Sequence, residues 1–421
     1  MNLWQDKDFP IIVSCAKTLA PWTEKEIVAL GYRPIDKSEN YVVVKGALRD
    51  VFKLNLWLHT AQRVLVPLFR GRCRHVRELY DKVGSLDWEN LIDADGYVTV
   101  SSVVHNNETI RDTRMPSLVV KDAVVDRIRM KTGRRPDSGG DDDLGASVFV
   151  HWNGDTVIVY IDTSGAPLSK RGYRKIPGSA PMQETLAAGC IDAMEWEGNA
   201  PFFAPMCGSG TPAIEAAIAA IGRAPGSLRS HFGFMSLKGY SQIIPNETAP
   251  RVAPRQRFGA TPEQIWKEMV IEAAENEKKD DIPPIVASDI SPEAVQNAQL
   301  NAHAAGVSHL IKFIACDFGE TPIPDYSTDS KYRGCVFFNP EYGIRLGDPV
   351  ELGPIYERIG TFMNEKCKGY VGALLTGSPE LSKQINLYYV TRIPFYNGPI
   401  DCRLFIFPNC ELKGENISKE S

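Results

Sequence analysis

The chain has 421 residues, 43% of them hydrophobic, with 47 Lys and Arg against 52 Asp and Glu for a net charge of −5. That length supports two or three domains around a large core, and the slight acidity excludes nucleic-acid binding driven by overall charge, leaving only local basic patches. Nine scattered cysteines, an odd count with no CxxC pair, argue for a reducing compartment and against a zinc, iron–sulfur or other metal site. The polar first residues carry no signal peptide and no long apolar run marks a membrane span, so a cytoplasmic protein is expected.

In chain order, 11–15 reads as a strand, 19–30 as a helix, 41–45 as a strand, 51–58 as a helix and 62–70 as a strand. This β-α-β-α-β order suits a small ferredoxin-like α+β unit. A second α/β unit follows. It has helical 76–83 and 88–91, a strand at 97–104, and a helix at 116–131 with Leu118, Val119, Ala123, Val124 and Ile128 on its inner face. The segments 148–152 and 157–161, joined through Asn153-Gly154, carry a type I′ hairpin signature.

Arg127, Arg129, Lys131, Arg134 and Arg135 gather at the end of the 116–131 helix and in its loop, a candidate phosphate-binding surface. A solvated helix end accounts for the same pattern, because cations are favoured there, and Asp137, Asp141, Asp142 and Asp143 partly cancel the field. The glycine- and proline-broken stretch 162–180 is the expected domain junction. It holds a second basic segment, with Lys170, Arg171, Arg174 and Lys175 around Tyr173.

From 182 onward, strands and helices alternate: helix 182–194, strand 200–203, a helix opening at Thr211-Pro212, and a long polar excursion from 222 to 284 closing in the charged helix 265–279. Strands at 285–289, 311–317, 334–338 and 371–376 follow, separated by helices 292–305 and 352–367. Segments 388–393 and 400–407, joined through Asn397-Gly398, form a terminal antiparallel pair. The alternation specifies an α/β fold with a mostly parallel sheet and helices on both faces.

Ligands of such sheets sit at the carboxyl ends of the strands. Those ends carry the turn Cys207-Gly208-Ser209-Gly210, then Asp289, Asp317 and Asn339-Pro340-Glu341-Tyr342. Glycines let the backbone approach a nucleoside-bearing cofactor. An acid after the second strand can accept from ribose hydroxyls, and one after the third from an adenine amine, although each alone also reads as a helix cap. Asn-Pro-x-Tyr suits methyl transfer to an exocyclic amine. The Asn339 oxygen and the Pro340 carbonyl accept the amine hydrogens, Tyr342 stacks on the base, and no strong base is needed. The base must first leave its stack. An ordinary Asn-Pro turn is the plain alternative.

Arg171-Gly172-Tyr173-Arg174, Ala180-Pro181-Met182-Gln183-Glu184-Thr185, the run 205–211, Arg223-Ala224-Pro225-Gly226, Asn339-Pro340-Glu341-Tyr342-Gly343 and Asn397-Gly398 stand in order along nearly the whole chain. In these blocks the sequence resembles the THUMP-domain class I methyltransferases that modify guanine N2 in RNA, above all the bacterial enzymes for 23S ribosomal RNA. The resemblance implies a ferredoxin-like segment at 1–70, an RNA-gripping THUMP domain at 71–165 and a Rossmann-like domain at 166–421 that binds S-adenosylmethionine. It implies cofactor contacts at Pro205, Cys207, Gly208, Ser209, Gly210, Thr211, Asp289, Asp317 and Asn339 and base contacts at Asn339, Pro340 and Tyr342, while the two basic clusters supply the expected RNA contacts at Arg127, Arg129, Lys131, Arg134, Arg135, Lys170, Arg171 and Arg174. Two positions depart from the family pattern. Ala204 stands where an Asp is usual, implying a weaker cofactor site, and Glu341 where a second proline is usual. A catalytically weak RNA-binding protein, or the same chemistry on transfer RNA or an adenine amine, are the competing readings. Larger family members carry a second methyltransferase domain, and a chain of this length is expected to lack it.

Overall fold

The computed structural model describes residues 8–107, 110, 112–137, 145–176, 182–242, 260–323, 333–341 and 349–412. Two compact units share the chain. One comprises Met1–Cys15, Glu24–Leu168 and Arg229–Ala273; the other comprises Ala16–Thr23, Ser169–Leu228 and Ala274–Ser421.

The N-terminal part runs β1 (Phe9–Cys15), α1 (Ala20–Ala29), β2 (Asp36–Ser38), β3 (Tyr41–Gly46), α2 (Leu48–Trp57), β4 (Ala61–Arg72), α3 (Val76–Gly84), β5 (Val98–His105), α4 (Met115–Thr132), β6 (Ala146–Asn153) and β7 (Thr156–Asp162). Its seven strands form one sheet in the order β2-β3-β1-β4-β7-β6-β5. The two α/β segments read separately in the sequence share this sheet, because β4 pairs with β1 through Ala61–Leu65 and with β7 through Leu65–Arg72. Period-2 alternation sets the buried face: Phe9, Ile11, Val13 and Cys15 of β1 point inward with Val42 and Val44 of β3.

Two local expectations change. The hairpin loop is Gly154-Asp155, since Asn153 still pairs with Thr156. Only Gly154 (φ +57°) is left-handed there, so the turn is not type I′, which needs positive φ at both central residues. On α4 the buried stripe is Val120, Ala123, Val124, Val125 and Ile128, while Leu118 is 49% exposed: the helix is rotated from the expected face.

The expected polar excursion returns in part to this first unit. Phe232 and Phe234 stack at 5.2 Å, and Phe234 packs on Phe52 of α2 at 4.5 Å. Trp266 of α7 (Pro262–Glu275) lies edge-on to Phe232 and Phe234 at 5.0 and 5.1 Å. Arg229 stacks over Phe232 at 4.6 Å and donates to the carbonyls of Ser164, Ala166 and Pro167 at 2.9–3.0 Å. A planar fork suits three converging carbonyls, which an ammonium cannot match.

The second unit holds α5 (Glu184–Ala193), β8 (Phe202–Pro205), α6 (Thr211–Ala220), β9 (Ile285–Asp289), α8 (Pro292–Ala304), β10 (Ile311–Ala315), β11 (Cys335–Phe338), α9 (Pro349–Lys366), β12 (Val371–Thr376), α10 (Pro379–Ser382), β13 (Thr391–Asn397) and β14 (Ile400–Phe407). Its sheet runs β10-β9-β8-β11-β12-β14-β13. The first five strands are parallel, and β14 and β13 close the edge antiparallel. Buried on both faces, β8, β9, β11 and β12 are nearly continuous apolar runs. α6 is buried at nine of its ten positions, which its alanine-rich sequence permits. Strand order reverses between β8 and β11, and at that switch point an open parallel sheet has its ligand crevice.

Arg229→Lys is expected to weaken the first unit by about 2 kcal/mol, because charged hydrogen bonds to partly buried carbonyls are lost. Urea denaturation followed by tryptophan fluorescence should show the unit's midpoint shifting; an unchanged midpoint would deny Arg229 this role.

Candidate functional site

The turn after β8 takes its shape from left-handed backbone. Met206 (φ +54°), Gly208 (φ +52°) and Gly210 (φ +84°) all lie in that region. A Cβ on Gly208 would meet nothing within 4 Å, so the turn is open on that side. A Cβ on Gly210 would stand 2.8 Å from the Ala298 Cβ on α8, so only glycine lets turn and helix close up. Thr211 opens α6, with Gly210 at its N-cap and Pro212 in the first turn. That helix begins past the carboxyl end of β8, and a helix N-terminus carries unpaired backbone N–H groups. Cys207 is buried, and burial together with the nearby Asp289 carboxylate raises its thiol far above the ordinary range. It stays protonated and is no nucleophile.

Asp289 ends β9 and fastens this turn. Its Oδ2 accepts from the Gly208 N–H at 2.9 Å and its Oδ1 from the Ser291 N–H at 3.0 Å. The α8 cap is Ser291, whose Oγ accepts from the Ala294 N–H, so Asp289 is not spent on capping. Each carboxylate oxygen keeps a further lone pair for a hydroxyl donor. Asp317, past the end of β10, accepts from the Gly319 N–H at 2.8 Å and from Arg358 of α9 at 2.6 Å, both on Oδ1. It is therefore half of an ion pair, with Oδ2 left to face another donor.

Asn339 follows β11, which pairs in parallel with β8 at Cys335–Phe202 and Val336–Phe203. Three residues on from Val336 and Phe203 are Asn339 and Met206, so the side-chain amide and the glycine turn leave adjacent strands at one sheet edge. The Asn339 Oδ1 is buried and has no hydrogen-bond partner among the described residues. Such an orphaned acceptor costs about 1–3 kcal/mol, which a donor from a ligand would recover. Pro340 is buried and Glu341 exposed. Ala204, where a carboxylate was expected, is 1% exposed inside β8 and pairs with Ala287. Tyr342 lies outside the described residues, as do Asp141, Asp142 and Asp143.

The arginines divide into two classes. Arg129, Lys131, Arg134 and Arg135 are exposed at the end of α4, and Arg134 pairs with Asp95. Arg127 is bound by Glu89 and Asp87 at 2.8 Å each, which leaves it little to offer phosphate. Lys170 is exposed, but Arg171 and Arg174 are not surface contacts. Arg171 is 1% exposed and pairs with the equally buried Glu215 of α6 at 3.6 Å, where the Tyr173 hydroxyl also donates at 2.9 Å. Arg174 pairs with Glu184 at 3.1 Å and donates to the Thr211 Oγ1 at 3.0 Å. Burial raises the Glu184 and Glu215 carboxyls, and the two arginines oppose it. A basic segment expected to grip RNA thus braces the helix behind the glycine turn, because its charges face acids supplied from α5 and α6.

Sequence reading also missed Asn301 of α8. Its Nδ2 donates to the Ser209 carbonyl at 3.1 Å and its Oδ1 accepts from the Lys175 and Ile176 N–H groups at 2.9 and 3.2 Å, tying the turn to the 175–176 backbone. The sequence carries no signal for it, because its burial, 1% exposed, comes only with packing.

Residues 171–406 match the model of the RMKL-like methyltransferase domain. The chain belongs to that family. Residues 10–65 match the RlmL ferredoxin-like domain and 73–162 the THUMP domain. Over 95% of its length the RMKL-like chain is 31% identical to the "Ribosomal RNA large subunit methyltransferase K/L" of Pseudomonas putida. It spans about half the length of the curated relatives it matches, 52% of that one. A possible methylase from Clostridium difficile 630 superposes with TM-score 0.79 at 26% identity, covering 96% of this chain and 98% of its own. SMU.472, assigned as a methyltransferase and solved complexed with SAH, has TM-score 0.77 at 25% identity, over 97% of this chain and 100% of its own. The fold is that of a Rossmann-like methyltransferase with ferredoxin-like and THUMP regions before it. Among the described residues no group of three or more His, Cys, Asp and Glu could hold a metal, and no helix is long and apolar enough to cross a membrane.

Two substitutions separate the glycines. Gly208→Ala is expected to cost about 1 kcal/mol from its left-handed backbone alone. Gly210→Ala adds the Ala298 overlap and is expected to exceed about 2 kcal/mol. Thermal melts of the two variants measure the difference, and equal costs would refute the close packing. In the folded protein at pH 8, iodoacetamide should label Cys316, which is partly exposed, before Cys207; mass spectrometry of the modified peptides checks the order.

Proposed function

We propose that this chain is an S-adenosylmethionine-dependent methyltransferase acting on the exocyclic N2 amine of a guanine in 23S ribosomal RNA. Residues 1–70 and 71–165 serve as its RNA-gripping part and 166–421 as its catalytic part. The observation that carries the reading is the buried Asn339 Oδ1, without a partner among the described residues, on the strand end next to the glycine turn at the switch point. The name of the Pseudomonas putida relative supplies the substrate class, large-subunit ribosomal RNA. The SAH in SMU.472, which is the demethylated form of S-adenosylmethionine, supplies the cofactor.

The residues present fit that cofactor. Space is open at Gly208, α6 begins directly after the glycine turn, and Asp289 retains acceptor capacity for ribose hydroxyls. Asp317 offers the adenine amine its Oδ2, with Arg358 fixing Oδ1. Pro205, Cys207, Ser209 and Thr211 complete the turn. When bound, the cofactor supplies an electrophilic sulfonium methyl with a good leaving group.

The protein's own task is the nucleophile. A guanine N2 lone pair is delocalised into the ring and attacks poorly. The Asn339 Oδ1 accepts one amine hydrogen and the Pro340 carbonyl the other, drawing the nitrogen toward a tetrahedral shape and holding its lone pair toward the turn. Nitrogen becomes positive as the bond forms, and these same oxygens stabilise that charge before the proton passes to water. Tyr342 is assigned the stacking of the extruded base. The two acceptors would serve an adenine amine equally well. RNA as the partner rests on the THUMP match, and the exposed Arg129, Lys131, Arg134 and Arg135 are the assigned backbone contacts, with Lys170 a further one.

Asn339→Ala is expected to lower methyl transfer to 23S rRNA transcripts by about 10²–10³-fold while SAH affinity by calorimetry stays within about threefold. Equal loss of both would contradict the assigned role. Replacing Arg129, Lys131 and Arg135 by Gln is expected to flatten the slope of log affinity against log salt by about 2; an unaltered slope would move the gripping surface elsewhere.

A further inference from the structure

The turn that carries Asn339 is held from behind by a directional chain of hydroxyls. Tyr356 on α9 is fully buried, and its hydroxyl meets the Glu341 carbonyl at 3.1 Å and the Thr376 Oγ1 at 3.0 Å. Thr376 ends β12, the strand beside β11, and its Oγ1 already accepts from the Ser378 N–H at 3.1 Å. A carbonyl can only accept, so the Tyr356 proton points at Glu341. The Thr376 proton is then free to point at the Tyr356 oxygen. The chain reads Ser378 N–H to Thr376, Thr376 to Tyr356, and Tyr356 to the Glu341 carbonyl. All its members lie in the second unit.

We propose that Tyr356 is a positioning residue for methyl transfer: its hydroxyl fixes the Asn339-Pro340-Glu341 turn so that the Asn339 Oδ1 and the Pro340 carbonyl point at one amine together. The reason is mechanical. Pro340 fixes its own φ, but nothing covalent fixes Glu341, whose side chain is exposed and cannot anchor the turn by packing. The Glu341 carbonyl follows the Pro340 carbonyl by one peptide, so pinning the second limits rotation of the first. The chain touches neither the glycine turn nor Asp289, and therefore acts on the base side of the site alone.

This inference rests on the amine-methylating reading above, and its test keeps the two apart. Tyr356→Phe removes one oxygen and preserves the ring's packing. With tritiated S-adenosylmethionine and a 23S rRNA transcript, kcat is expected to fall about tenfold, as a small misplacement of a reacting group does, with SAH affinity by calorimetry unchanged. Glu341→Pro placed on Tyr356→Phe fixes the same φ covalently and is expected to restore most of the lost kcat. Hydrogen exchange supplies a readout that needs no RNA: peptides spanning 335–341 should exchange faster in Tyr356→Phe, and those spanning 202–211 should not. A Tyr356→Phe enzyme with wild-type kcat and exchange overturns the proposal. So does equal loss of kcat and SAH affinity, or no recovery in the double variant. If the wild-type chain transfers no methyl to the transcript while the 335–341 exchange effect appears, the substrate reading fails and the clamp stands.

Discussion

The parallel pairing of β8 with β11 is the constraint on which the site depends. It joins two strands far apart in sequence and places the turn after one beside the amide after the other. Each end is incomplete by itself. The glycine turn presents an open side at Gly208, and Asn339 presents a buried acceptor with no donor among the described residues. An unmet acceptor in a protein interior is unfavourable, and a ligand donor would offset that cost.

Behind that edge the second unit is stiffened by buried polar groups. Arg171 and Arg174 face Glu215 and Glu184, Thr211 is held by Arg174, and Asn301 ties Ser209 to the 175–176 backbone. Burial makes each of these groups costly unless paired, so removing one member strands its partner. Networks of this kind fix orientation more than they add stability. The glycine turn has three left-handed residues, and these side-chain ties add to its own hydrogen bonds from the Cys207 N–H to Ser288 and the Gly210 N–H to Cys207.

The first unit solves a different problem. Its seven-stranded sheet is continuous because β4 is long enough to pair on both sides. The aromatic cluster of Phe52, Phe232, Phe234 and Trp266 is assembled from α2 and from chain that returns after α6. Arg229 satisfies the carbonyls of a loop that has no strand or helix partner for them.

Local chemistry alone determined much of this. Alternating apolar runs and helical spacing gave the α/β order, Thr211-Pro212 gave a helix start, and the glycine turn, Asp289, Asp317 and Asn339 were each legible as following a strand, because each depends on neighbours a few residues away. Tertiary structure decided the rest. Arg171 and Arg174 read as a surface patch until α5 and α6 brought acids to them, and Arg127 until Glu89 and Asp87 did. Leu118 turned outward because a packed neighbour, not helical spacing, selects the buried face of α4. Tyr356 and Asn301 carry no sequence signature of a site; they matter only through partners at Glu341, Thr376, Ser209 and Ile176, and which residues meet across 15 or 125 positions is settled by the packing of strands and helices rather than by the residues themselves.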